Sequence, residues 1–248
     1  MKIVIYGAAG KMGQHVAEFC SGEHPMAEAA AFVSRSFTTD TKLNKYKSLS
    51  EFKGEADAVI DFSNHSATKE LIDSCIEKKL PLVIATTGHT EEEKALIYDA
   101  AASIPIFFSA NMSVGIAVLA ELAKKAAAAF SDADIEIIEK HHNRKLDVPS
   151  GTALLLADRI KEARPEAVYN IGRHEYGKRT KEEIGIHSVR LGNEVGTHEI
   201  FISTSAETIT LKHEAESRAL FAEGAVKAAA FVMNKPAGLY TMRDMLDA

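Results

Sequence analysis

Short runs of almost unbroken apolar residues, set apart by helical patterns, constrain the first half of this chain more than any other feature. Ile3-Val4-Ile5-Tyr6, Ala29 to Val33, Ala58-Val59-Ile60, Leu82-Val83-Ile84 and Ile104 to Phe108 lack the alternation of a strand with one wet face, so they read as strands buried on both sides. Between most of them lie stretches with helical spacing: Met12 to Cys20, Ala67 to Lys78, and Glu91 to Ala101, the last started by Thr90 and the acidic residues after it. Strand and helix in alternation imply an α/β fold with a parallel, doubly wound sheet.

The second half differs. A helix over 115–130 leads into a strand over 135–139, another helix follows Ser150, and strands over 184–190, 198–203 and 208–213 crowd together. Such a grouping predicts an α+β domain with a mixed or largely antiparallel sheet and helices on one face. Residues 216–233 are again helical, while 161–181, charged and broken by glycine and proline, read as a loop. The 248 residues suffice for two modest domains with real cores.

A net charge of −6 argues against nucleic acid or an acidic membrane as partner, so any anion site must be local. Cys20 and Cys75 lie far apart inside predicted helices, which supports neither a disulfide framework nor a Cys-rich zinc site and fits a reducing cytoplasm. No apolar run is long enough for a membrane span, and Met1-Lys2 passes straight into a strand without a secretory leader. A cytoplasmic protein is expected.

Chemistry first shows in IYGAAGKMG. Gly7, Gly10 and Gly13, with Ala8, Lys11 and Met12 between them, follow the first strand and open the first helix. Glycine there lets the backbone turn tightly and lets a pyrophosphate approach the free amides of a helix N-terminus. The alternative is a simple strand-to-helix turn; its place after a strand and before a helix favours dinucleotide binding. The second strand ends in Ser34-Arg35-Ser36. A carboxylate at that position favours NADH through the ribose 2′-hydroxyl, whereas arginine with hydroxyl neighbours suits a 2′-phosphate. NADPH is therefore the expected coenzyme, with NADH also accepted; a solvated loop cation is the alternative.

Other strand ends carry Asp61-Phe62-Ser63, Thr86-Thr87-Gly88 and Ala110-Asn111-Met112-Ser113. Carboxyl ends of parallel strands line the ligand crevice, so Thr86, Gly88, Ala110, Asn111 and Ser113 join the cofactor-side candidates. Each has a local alternative: Asp61 as a helix cap, Thr86-Thr87-Gly88 as turn chemistry, Asn111 as an Asx-turn.

The run EKHHNRKLDVPSGTA, Glu139 to Ala153, sets two histidines and several cations before a helix start. Ser150 reads as N-cap, Gly151 and Thr152 as exposed amides, Arg144 and Lys145 as full charges, and His141 and His142 as groups able to donate a proton near neutral pH. Together these describe a carboxylate clamp beside an acid. A metal site is the rival chemistry, but adjacent histidines diverge and no third ligand has usable spacing.

At this point the chain resembles dihydrodipicolinate reductase, the 4-hydroxy-tetrahydrodipicolinate reductase family of lysine and diaminopimelate biosynthesis. The resemblance covers essentially the whole chain and rests on GAAGKMG, DFS at 61, ATTG at 85, ANMSVG at 110, EKHHNRKLDVPSGTA, RLGNEVGTHEI at 190, and HEAESRALFAEGA followed by GLYTM. It implies hydride transfer from NADPH or NADH to a small cyclic dicarboxylate, with His141 as general acid and Lys145 at a substrate carboxylate. His142 becomes a further substrate contact, and Gly151-Thr152 hold the other carboxylate. Gly7, Met12, Arg35, Thr86, Gly88 and Asn111 match cofactor-side positions. Many members carry an acidic residue just before the arginine, where this chain has Ser34. The resemblance also implies a dinucleotide-binding domain over 1–112 and 213–248, a substrate and oligomerisation domain over 113–212, hinge closure between them, and a homotetramer built through the second sheet. A semialdehyde dehydrogenase would need a cysteine nucleophile, and a nucleotide sensor would have no use for the His141-Lys145-Thr152 clamp.

Overall fold

The apolar runs of the first half become strands of one parallel sheet. In the computed structural model, which describes residues 1–22 and 26–248, β1 (Lys2–Tyr6), α1 (Lys11–Cys20), β2 (Glu28–Val33) and the short β3 (Lys45–Tyr46) come first. Then follow β4 (Ala58–Asp61), α2 (Thr68–Lys78), β5 (Leu82–Ile84), α3 (Glu91–Ala100) and β6 (Pro105–Phe108). The chain continues through α4 (Val114–Ala129), β7 (Asp134–His141), α5 (Gly151–Lys161), β8 (Val168–Ile171), β9 (Glu183–Arg190), β10 (Gly196–Ser203) and β11 (Thr208–Ala215). It ends with α6 (Ala219–Val232), β12 (Gly238–Tyr240) and α7 (Met242–Leu246). Two compact units result: Met1–Ser113 with Arg218–Ala248, and Val114–Ser217.

The first unit holds a seven-stranded sheet in the order β3-β2-β1-β4-β5-β6-β12, parallel throughout. Ile3, Val4, Ile5, Val59, Ile60, Leu82 and Val83 have no exposed surface, which is why these runs need no polar face. The strand order reverses between β1 and β4. At such a switch point the loops diverge and leave a crevice outside the carboxyl ends of the strands. Thr90 starts α3 with a full capping box to Glu93. The edge strands β3 and β12 escape sequence reading because a two- or three-residue strand carries too little pattern.

The second unit holds the order β11-β10-β7-β9-β8. β10 runs antiparallel to both β11 and β7, while β7, β9 and β8 run parallel, so the sheet is mixed. Alternate residues Ile135 and Ile137 of β7, Ile184 and Ile186 of β9, and Ile200 and Ile202 of β10 pack under α4 and α5 with Leu119, Ala123, Leu156 and Ile160. Two expectations fail here. The stretch 161–181 is not all loop, since Val168–Ile171 pairs with β9 at the sheet edge. The strand expected over 135–139 runs on to His141, paired with Arg190.

Gly224 of α6 sets a packing limit in the first unit. A Cβ there would lie 1.7 Å from the Met112 carbonyl oxygen. Glycine to alanine in a helix normally stabilises by about 1 kcal/mol, yet here the backbone would have to move. Gly224→Ala is expected to destabilise by roughly 1–3 kcal/mol, lowering the thermal midpoint in calorimetry; a raised midpoint would contradict this packing.

Candidate functional site

In the first unit the chain leaves β1 into a turn that only glycine can make. Gly7 has φ +85°, and a Cβ would meet the Phe62 carbonyl oxygen at 2.5 Å. A Cβ on Gly13 would meet the Gly7 carbonyl oxygen at 2.4 Å, so glycine also brings α1 close against the turn. Gly7 and Ala8 both donate to the Val33 carbonyl, at 2.9 and 3.0 Å, tying the turn to the end of β2. Gly10 is the N-cap, no side chain caps α1, and its first turn holds no acidic residue. Lys11, Met12 and Gly13 therefore present a helix N-terminus suited to a pyrophosphate. These features fit a dinucleotide.

The other cofactor-side candidates gather at the same sheet edge. Thr86 is buried just past β5, and Gly88 has φ +83°. Past β6, the Asn111 Oδ1 accepts from the Ser113 amide at 2.8 Å, an Asx-turn, and the Ser109 hydroxyl donates to the Asn111 carbonyl at 2.7 Å beside Ala110. Asp61 is not a helix cap: its Oδ1 accepts from the Ser63 amide at 2.9 Å, while Asn64 caps the short helical turn that precedes α2. Burial raises the Asp61 carboxyl, opposed by hydrogen bonds from Ser63 and Thr86. Ser34 and Ser36 join hydroxyls at 2.9 Å. Arg35 has an acidic partner, its guanidinium donating to Glu70 of α2 at 3.1 Å. Sequence proximity had suggested no carboxylate there; the fold supplies one from 35 residues away.

In the second unit the chemistry grows from strand parity. Along β7 the residues Ile135, Ile137, Glu139 and His141 share one face. The isoleucines reach the core, and the next two emerge beside the start of α5. Ser188 and Arg190 of β9 and Gly196 and His198 of β10 end on that face too. Glu139 is completely buried. It accepts from Arg190 Nη1 and Nη2 at 2.8 and 2.7 Å, from the Ser150 amide at 3.1 Å and from His141 Nδ1 at 2.5 Å. Burial alone would raise this carboxyl, but the hydrogen bonds from His141 and Arg190 hold it well below the usual carboxylate range. An ionised Glu139 can only accept, so His141 Nδ1 donates and Nε2 is left as the atom that exchanges a proton. His141 is 8 % exposed, and Nε2 lies over Gly196, where a Cβ would come within 3.0 Å.

His198 backs this ring edge to face at 5.3 Å. Burial, reinforced by the neighbouring His141, pushes His198 down to about 3, so it stays neutral. The Ser150 hydroxyl pairs with its Nε2 at 3.2 Å and accepts from the Ala153 amide at 3.2 Å, which caps α5 as the sequence predicts. Arg190 also donates to the Asp147 carbonyl at 2.8 Å, and the Leu191 amide donates to the His141 carbonyl at 2.9 Å. One arginine thus braces both the carboxylate and the loop.

That loop carries the residues expected to form the clamp. Lys145 Nζ lies 2.9 Å from Asp147 Oδ1. Burial would raise the Asp147 carboxyl, but Lys145 and the Gly151 amide, among its hydrogen-bond donors, hold it below its ordinary value. A carboxylate of the chain itself thus sits on two of the groups expected to take a carboxylate. The space around Gly151 is open, and Thr152 follows it in the first turn of α5. His142 is half-buried, and its carbonyl accepts from the Lys145 amide at 3.1 Å. Arg144 donates to Asn193 Oδ1 at 3.0 Å. Sequence reading missed Glu139, Arg190, His198 and Asp147 as working residues. The i, i+2 pattern Ile135, Ile137, Glu139, His141 was the signal for the first.

Among the described residues no cluster of His, Cys, Asp or Glu could hold a metal ion, and no helix is long and apolar enough to cross a membrane. Both cysteines are buried, and burial pushes the Cys20 thiol up to about 11.

Residues 1–112 match the family model "Dihydrodipicolinate reductase, N-terminus", and 115–246 match "Dihydrodipicolinate reductase, C-terminus". A 4-hydroxy-tetrahydrodipicolinate reductase of Clostridium tetani is 47 % identical over 250 residues, spanning 100 % of this chain and 98 % of its own. The enzyme of the same name from Caldanaerobacter subterraneus is 46 % identical, spanning 99 % and 98 %. The solved structure of a dipicolinate-bound dihydrodipicolinate reductase from Paenisporosarcina sp. TG-14 superposes with a TM-score of 0.81 at 26 % identity, covering 97 % of each chain.

The buried carboxylate generates a stability test. Folding holds Glu139 below the range of about 4.3 that it has when unfolded. Its contribution is therefore complete above that range and lost as pH falls below it. Glu139→Gln is expected to cost about 3 kcal/mol or more near neutrality, since it leaves Arg190 poorly paired. Denaturation from pH 7 to pH 3 should show the gap to the parent protein narrowing below about pH 4; a constant gap would contradict the assignment.

Proposed function

This chain belongs to the dihydrodipicolinate reductase family, and from that membership we propose that it reduces 4-hydroxy-tetrahydrodipicolinate to tetrahydrodipicolinate in lysine and diaminopimelate biosynthesis. The observation that carries the reading is the buried Glu139, which fixes His141 beside a clamp already holding a carboxylate. The substrate is a small cyclic dicarboxylate that loses water to give a conjugated imine. Bound NADPH or NADH supplies the hydride. His141, protonated on both ring nitrogens, then donates the Nε2 proton to the ring carbon neighbouring the one reduced and is left neutral, with Nδ1–H still hydrogen-bonded to Glu139. General acid catalysis of this kind contributes about 10²- to 10⁴-fold.

Lys145 and the Gly151 and Thr152 amides bind the substrate carboxylates, with Asp147 giving up its place, and His142 adds a further contact. An anion held by a lysine and a helix N-terminus gains from both full and partial charge. In the first unit, Gly7, Ala8, Gly10, Lys11, Met12 and Gly13 take the pyrophosphate. Thr86, Gly88, Ala110, Asn111 and Ser113 line the nicotinamide end, and Ser34 with Arg35 takes the adenine ribose. Arg35 favours NADPH, and the shared pyrophosphate site keeps NADH usable.

We infer a homotetramer assembled through the second sheet. Its face opposite α4 and α5 carries Ile138, Val189 and Phe201 and the pairing of Glu136 with Arg179 and His187, at 2.9 and 2.8 Å. These groups offer both apolar area and fixed charge to a second copy.

Oxidation of NADPH followed by absorbance with freshly generated substrate tests the activity, and no turnover would refute it. Lys145→Ala is expected to lose roughly 30- to 5000-fold in kcat/KM while coenzyme affinity is kept, the scale for removing one charge from a desolvated pair. Parallel loss of coenzyme binding would refute the clamp. His141→Gln is expected to lower kcat by about 10²–10⁴ with little change in substrate KM; near-normal turnover would move the acid elsewhere.

A further inference from the structure

Arg35 has a charged neighbour that its own stretch of sequence does not provide. It lies in a turn closed by the Phe37 amide donating to the Ser34 carbonyl at 2.9 Å. Its guanidinium reaches Glu70, in the first turn of α2. The two side chains are about half exposed, 54 % and 47 %. Within reach of both charges is Tyr6, the last residue of β1, buried and with no hydrogen-bond partner for its hydroxyl. Burial first, then the nearby Glu70 charge, push the Tyr6 hydroxyl up to about 12, with Arg35 opposing. The Arg35–Glu70 pair thus lies near the end of β1, the strand that delivers Gly7 to the turn.

Dinucleotide sites tell the two coenzymes apart by charge at this sheet edge. A carboxylate accepts from a 2′-hydroxyl and repels a 2′-phosphate, and a cation does the reverse. Usually both the carboxylate and the cation belong to the segment that leaves the second strand. Here that segment has only Arg35, and the carboxylate arrives from α2.

Resting on the reading of the first unit as the dinucleotide-binding unit, we propose that Glu70 is the residue that sets coenzyme preference, acting against Arg35. An exposed ion pair adds little to stability, so Arg35 leaves Glu70 readily when a 2′-phosphate arrives. The phosphate then stands near the carboxylate, and the repulsion offsets part of the attraction to Arg35. A ribose with a free 2′-hydroxyl instead offers Glu70 a donor. The chain thereby keeps a moderate preference for NADPH and a working affinity for NADH.

Titration calorimetry on the full chain without substrate tests this, using NADPH, NADH, 2′,5′-ADP and 5′-AMP as probes. Glu70→Ala is expected to tighten NADPH and 2′,5′-ADP roughly 5- to 20-fold at low ionic strength, and the gain should shrink as salt rises. The same change should weaken NADH and 5′-AMP by about 3-fold, the loss of one exposed hydrogen bond. Glu70→Asp should fall between, and Arg35→Ala should weaken only the two phosphorylated ligands. Opposite signs for phosphorylated and unphosphorylated ligands are the signature, because an ion pair that merely shapes the loop would move all four the same way. Uniform shifts, or no shift for NADPH, would overturn the proposal. If the unaltered protein bound neither NADPH nor NADH, the dinucleotide reading would fall and this proposal with it.

Discussion

A carboxylate with no exposed surface is the constraint on which the second unit's chemistry depends. Glu139 would be costly to bury alone, since an isolated ion loses its hydration in the interior. It is tolerated because Arg190 grips both oxygens, His141 donates to one and the Ser150 amide to the other. Each donor comes from a different part of the chain, so satisfying one charge fixes several elements together. Arg190 locks β9 to β7, Ser150 sets the start of α5, and His141 has its ring plane and tautomer chosen. The carboxylate clamp follows from the same contacts, because Arg190 also holds the loop at Asp147 and α5 presents Gly151. Neutral His198 closes the back of the site without adding a charge that would compete for Glu139.

The first unit solves a different problem with backbone rather than charge. A pyrophosphate is bulky and doubly charged, and a helix N-terminus can take it only if nothing covers the amides. Gly7 and Gly13 remove the two Cβ atoms that would collide with the Phe62–Ser63 backbone and with the turn, and Gly10 leaves α1 without a side-chain cap. The polar strand ends gather at the same sheet edge, where the strand order reverses. Past the end of β2, where side chains rather than backbone set the local charge, Arg35 meets Glu70.

Much of this could be read from the sequence. The strands with no polar face, the capping box at Thr90, the cap at Ser150 and the glycine turn are local, and local chemistry leaves a local pattern. His141 and Lys145 stood out as residue types in one run. What stayed hidden was mostly partnership across distance. Glu139 and Arg190 lie 51 residues apart, Ser150 and His198 lie 48 apart, and nothing in either segment announces the other. The strand reaching His141 was underestimated because its last residues are polar, yet their parity with Ile135 and Ile137 marks them as facing inward. Glu70 was missed for a related reason: neighbours of Arg35 along the chain showed no acid, while its neighbour in space is Glu70.

Nitrogen NMR of the His141 imidazole in protein labelled at histidine measures the central claim most directly, because ring shifts report which nitrogen carries the proton. If the ionised Glu139 fixes the ring, neutral His141 carries its proton on Nδ1 and leaves Nε2 bare. A neutral ring protonated on Nε2 would contradict the account, since Glu139 would then lack its donor and the His141 ring would lack its orientation.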